Sequence, residues 1–105
     1  MIVQETERFK DAADKIYLRF VLDGEAGAAW AWLDALQGIL HALPIGASAY
    51  PLCLDPEVQG RGLREAYFGV GRSKTHRLIF EIDGDVVRAR TVRSFAQDDL
   101  TPADL

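Results

Sequence analysis

The stretch from Leu63 to Phe95, LREAYFGVGRSKTHRLIFEIDGDVVRARTVRSF, constrains the fold more than any other part of the chain. Leu78, Phe80 and Ile82 alternate with Arg77, Ile79 and Glu81, the period-two pattern of a strand with one apolar and one mixed face. Asp83-Gly84 follows, a dipeptide that favours a tight hairpin because glycine accepts the left-handed backbone such turns need. Val86–Phe95 then reads as the return strand. Upstream, Leu63–Val70 reads as another strand, separated from His76–Ile82 by the polar turn Gly71-Arg72-Ser73-Lys74. Strands joined by turns this short pair antiparallel.

The first half has a different period. Met1 to Gln4 is a short apolar start, expected as an edge strand. Thr6 is placed to cap a helix, with Glu7 in the first turn. Phe9, Ala12, Ala13, Ile16, Tyr17 and Phe20 then recur at helical spacing. Asp23-Gly24 interrupts that stripe. A second helix carries Ala29, Leu33, Leu36, Leu40 and Leu43 on one face, and Pro44 and Gly46 are expected to end it. With so short a connection the two helices pack antiparallel. Residues 44–62 hold Pro44, Pro51 and Pro56 and read as a loop over the core. The element order βααβββ predicts an α+β fold, a helical hairpin on a small antiparallel sheet.

At 105 residues and about half apolar, the chain has material for one domain with one core. The lone Cys53 excludes an intramolecular disulfide and fits a reducing cytoplasm. No signal peptide is expected, and no apolar run is long enough to span a bilayer, so no membrane association is expected. Two histidines and one cysteine lack ligand spacing, and no phosphate-cradling loop is present, so neither metal nor cofactor is expected. Charge is unevenly spread. Residues 1–60 carry four basic and nine acidic side chains, residues 61–93 eight basic and four acidic, and the tail adds Asp98, Asp99 and Asp104. A small basic sheet on a chain of net charge −4 argues against broad non-specific nucleic-acid binding and for a confined docking surface.

The run AAWAWLDALQGILHALPIGA, the stretch from Leu63 to Phe95 and the ending LTPADL together resemble the ParE/RelE superfamily of type II toxin–antitoxin toxins, on its ParE-like side. The resemblance covers nearly the whole chain and implies a single toxin domain, residues 1–105, of a plasmid-stabilisation type, working in the bacterial cytoplasm and inhibiting growth. It implies a cognate antitoxin whose C-terminal segment wraps over the helical hairpin and the sheet. ParE-like members act on DNA gyrase; RelE-like members cut messenger RNA on the ribosome.

By that resemblance Arg64, Arg77 and Arg93 match family arginines and together would hold a phosphate. The histidine that follows the last of these in the family is Ser94 here, and a later arginine is Gln97. Serine does not titrate near neutral pH, so the position has lost its acid or base. His76 would substitute only if the fold brings it to the site. The expectation is therefore a toxin that binds rather than cleaves, with ribonuclease activity and a catalytically decayed, binding-only fold as alternatives. Arg88 and Arg90 share one strand face, either as a solvated face paired with Glu65 or Glu81 or, with Arg64, Arg77 and Arg93, as a dock for an acidic antitoxin or the target. Trp30 and Trp32 cannot share one helical face. One enters the core; the other, assigned as Trp32, joins the surface left for the antitoxin, the target or a second copy of the chain in a homodimer.

Overall fold

The computed structural model describes every residue, Met1–Leu105. Strand β1 (Ile2–Glu5) leads into helix α1 (Glu7–Leu22), then helix α2 (Ala26–Gly46), and strands β2 (Arg64–Phe68), β3 (His76–Asp83) and β4 (Val86–Ser94). The result is an α+β fold, two helices packed on one face of a four-stranded sheet of order β1-β4-β3-β2. No helix is long and apolar enough to cross a membrane.

The start of α1 shows how the first strand and helix are joined. Thr6 Oγ1 accepts from Phe9 N at 3.2 Å, capping the helix, and donates to the Ala89 carbonyl at 2.8 Å. One hydroxyl thus fastens the helix N-terminus to the last strand. At the other end Asp23 and Gly24 stop the helix, with Gly24 at φ 78°. The α2 stripe that enters the core is Ala29, Trp32, Leu36, Leu40 and Leu43. It meets Phe9 from α1 and Ala66, Phe68, Leu78, Phe80, Val87, Ala89 and Val92 from the sheet.

Three expectations need correction. The sheet is mixed rather than antiparallel, because β1 lies parallel to β4, Ile2 beside Val86 and Glu5 beside Ala89. The two helices intervene between β1 and the hairpins, so nothing local sets the direction in which β1 joins the edge. Helix α2 does not stop at Pro44 but includes it and runs to Gly46. Proline's fixed φ suits a helix, and in the last turn its missing N–H forfeits a single bond. Strand β2 is shorter than Leu63–Val70. A side chain at Gly69 would collide with the Ser73 carbonyl, and Thr75 N donates to the Phe68 carbonyl at 2.9 Å, so the turn closes directly after Phe68.

The Asp83-Gly84 hairpin forms where it was expected, with Gly84 at φ 59° and Asp83 opposite Val86. Residues 44–62 cover the core as expected, with Ala47 and Tyr50 on the helix-side cluster, and their later part covers a second one. Cys53, Val58 and Leu63 join Ile79 and Leu100 in a small cluster on the side of the sheet away from the helices. The C-terminal segment closes that cluster with the fully buried Leu100, held by a reciprocal pair between Thr101 and Asp104.

Candidate functional site

Register decides which sheet arginines can act together. Arg77 lies opposite Tyr67 on β2 and opposite Arg93 on β4, so these three begin on the outer face. Arg64 lies opposite Phe80, a core residue of the helix side, and its Nη1 donates to the Tyr50 carbonyl at 2.7 Å. The structure therefore does not bring Arg64, Arg77 and Arg93 into one phosphate cradle, since strand alternation sends Arg64 to the opposite face.

Arg77 is held from three directions. Its Nη2 reaches Asp55 Oδ2 at 2.6 Å, and its Nη1 reaches Asp55 Oδ1 at 2.9 Å and Glu65 Oε1 at 3.5 Å. The side chains of Arg77, Asp55 and Glu65 are 12, 11 and 8 % exposed. Asp55 Oδ2 also accepts from Leu100 N at 2.7 Å, so one carboxylate joins the loop, β3 and the C-terminal segment. The bonded guanidinium and the Leu100 N–H hold the Asp55 carboxyl down to about 2, against an ordinary 3.8. The Arg77 guanidinium is pushed up by the same bond. Cys53, Asp55 and Glu65 offer metal-ligand atoms within 4.8 Å of one another. Arg77 Nη1 already lies between them, 3.9 Å from Cys53 Sγ, and burial pushes the thiol up and away from the thiolate a metal would need. The positive charge of this cluster is supplied by the chain itself.

The other outer arginines are similarly engaged. Arg88 and Arg90 both bond Glu81 Oε1, at 3.1 and 2.9 Å, and Arg88 also reaches Asp83 and Gln4. Glu81 is thus the cross-strand partner anticipated for this pair, while Glu65 belongs to Arg77. Arg93 bonds Asp104 Oδ1 at 3.2 Å and the Asp98 carbonyl at 2.8 Å. The Thr101 N–H and then the Arg93 charge hold the Asp104 carboxyl below its ordinary value.

His76 and Ser94 lie opposite each other across β3 and β4, and His76 turns to the helix side, away from Arg77. His76 is buried among Phe20, Trp32 and Phe68, with ring centroids 5.5–6.4 Å away, and Nδ1 lies 2.8 Å from Thr75 Oγ1. Burial pushes its pKa down, so it is a neutral part of the core. The Ser94 hydroxyl accepts from Ala96 N at 3.1 Å, and Gln97 Oε1 accepts from Ser94 N at 2.8 Å. Gln97 and Ser94 therefore build the turn that follows β4. His76 and Ser94 therefore supply no acid–base pair to Arg77 or Arg93.

Trp32 is fully buried, and the exposed indole is Trp30 at 66 %. Its assignment to a partner surface is overturned. The phase of α2 places residue 32, three after Ala29 and four before Leu36, at the middle of the buried stripe.

The outer face does keep one open, chemically distinctive end, which sequence reasoning passed over. Tyr67 and Phe95 pack edge to face there, centroids 5.5 Å apart, and are 47 and 49 % exposed. They line a cavity of about 470 Å³ whose wall also includes the Arg77, Asp55 and Glu65 cluster and Lys74. Tyr67 Oη donates to Glu65 Oε2 at 3.0 Å, and burial together with that bond pushes its pKa up, away from service as a base. Lys74, like Arg72 and Arg61, makes no ion pair. The available signal was the alternation that puts Tyr67 on the outer face of β2 and aims Phe95, just past the end of β4, the same way, obscured because β2 and β4 are not adjacent. Models of known protein families and curated protein sequences give no match to this chain.

Proposed function

We propose that this chain is a ParE-like toxin component of a type II toxin–antitoxin module, neutralised by a cognate antitoxin and acting by protein binding on DNA gyrase. The resemblance in sequence supports the family, and the βααβββ order with helices on one face of the sheet is compatible with it. Binding rather than turnover is supported by one observation above the others. The arginines that would steady a scissile phosphate are engaged within the chain, Arg77 and Arg93 by its own carboxylates and Arg64 by a backbone carbonyl, so none of the three guanidinium groups is left free for one. What remains open is an aromatic pair, Tyr67 and Phe95, with the unpaired Lys74 and Arg72 nearby in sequence and space for a partner side chain.

Inducing the chain in bacteria, with and without a neighbouring reading frame that encodes the antitoxin, tests the toxin reading. The expected result is arrest that the neighbour relieves. Purified protein added to a gyrase supercoiling assay tests the target, with inhibition expected and loss of inhibition in Tyr67→Ala. Arrest accompanied by cleaved messenger RNA and unimpaired supercoiling would favour the RelE-like alternative. Unhindered growth with folded protein present would favour the decayed fold, to which the internally paired arginines also point.

A further inference from the structure

Helix α2 presents to solvent a face that the fold itself does not explain. Its 21 residues include one charged side chain, Asp34, whereas the 16 residues of α1 include seven. Trp30 and Ile45 stand on that face, 66 and 96 % exposed. Gly27 and Gly38 lie on it too, and neither has a positive φ. A Cβ added at either would meet nothing within 4 Å. Neither backbone conformation nor packing within the chain calls for glycine there, and mid-helix Gly38 carries the propensity penalty without a local return.

We propose that this face joins two copies of the chain through an antiparallel α2–α2 contact, with the two-fold axis at the level of Leu36. The axis sets residue 34 against 38, 31 against 41, 30 against 42 and 27 against 45. At each of those levels an exposed glycine or alanine meets something larger. Asp34 faces Gly38, His41 faces Ala31, Trp30 faces Ala42 and Ile45 faces Gly27. The stripe is therefore complementary to itself when reversed, as a closed two-fold interface requires. Small residues opposite large ones let the helices approach, and Gly38 is smallest where the axis passes closest.

Charge selects the same arrangement. Reversal places Asp34 within one turn of His41 of the second copy, an acceptor beside a ring donor, and keeps the two Asp34 carboxylates off the same level. A parallel pairing would set Asp34 against Asp34 and Trp30 against Trp30. Antiparallel helices also bring opposite dipole ends together. The proposal does not rest on the toxin reading, since a dimer without toxicity and a toxic monomer would separate the two.

Sedimentation equilibrium between about 1 and 200 µM spans the affinities expected of one helix-pair interface. The expected mass is twice 11.6 kDa at the upper end. Trp30→Glu and Ile45→Glu replace exposed side chains, so both are expected to sediment as monomers with unchanged circular dichroism. Gly38→Ala is expected to melt at a higher temperature when dilute, yet to dimerise about tenfold more weakly because its methyl lies where the helices close. A wild-type monomer throughout that range would overturn the proposal. So would a dimer that survives Trp30→Glu, or Gly38→Ala dimerising as well as the parent.

Discussion

On the helix side of the sheet, Trp32, Leu36, Leu40 and Leu43 meet Phe68, Leu78, Phe80 and Val92 in a continuous core of 13 buried residues. On the outer side the buried apolar cluster has only five residues, and the loop and C-terminal segment are held down by Arg77, Asp55 and the Leu100 N–H. The first closure is non-directional, and several apolar side chains of similar volume could serve it. The second depends on every partner being present, because each ion left alone would be buried without compensation. The cavity on the outer face is accordingly bounded on one side by this ionic clasp and on the other by Tyr67, Phe95 and Lys74.

Removing the largest side chain of the apolar closure is expected to have the greatest effect. Trp32→Ala is predicted to cost about 4 kcal/mol, by lost transfer energy and the cavity left between α2 and β3. Chemical denaturation of the variant measures it. A cost near 1 kcal/mol would mean that the helix side collapses easily and is not the rigid half of the comparison.

Arg77→Ala is the matching cut on the outer side and is predicted to cost about 3 kcal/mol, since Asp55 and Glu65 would be left buried together. Limited proteolysis sharpens the expectation. Cleavage should appear first in residues 50–62 and after residue 95, the two segments the clasp holds, with the helices still protected. Uniform cleavage would show that the two faces are one cooperative unit.

Acid separates the faces without mutation. His76, neutral in the helix-side core, has its pKa pushed below 6.5, so stability begins to fall as pH drops below that value and the unfolded chain takes up a proton. The Asp55 contribution is complete above about pH 4 and is lost as pH falls from 3.8 towards 2, on the order of 2 kcal/mol in all. Urea midpoints measured from pH 8 to 2.5 should therefore decline in two stages. His76→Phe is expected to abolish the upper stage, and Asp55→Asn to flatten the lower one. A single smooth decline that neither substitution alters would refute the assignment.

How much of this was legible in the sequence follows the distance over which each feature is decided. Both helices, the Asp83-Gly84 hairpin and the Thr6 cap are set by residues within a few positions, and all were readable. The direction of β1 is set by pairing with Val86–Ala89, more than 80 positions away, and no local signal fixes it. The partner of Arg77 was hidden likewise, because Asp55 sits in a loop without periodicity. Trp32 differs from these. Its place was legible, but Leu33 fits the same stripe one position later, and only contact with Phe68 and His76 separates the two.

The smallest expected effect bears on what an arginine-rich face means. Arg88 bonds Glu81, Asp83 and Gln4, more partners than many buried ions have, yet Asp83 is 69 % exposed and Arg88 itself 29 %. Water can replace those bonds, so Arg88→Ala is predicted to move the urea midpoint far less than Arg77→Ala does. Adding 0.5 M salt should erase most of the Arg88→Ala shift while leaving the cost of Arg77→Ala nearly unchanged, because only exposed pairs are screened. Equal costs for the two substitutions would mean that burial does not divide the outer face. Its whole arginine row would then have to be treated as one surface open to an acidic partner.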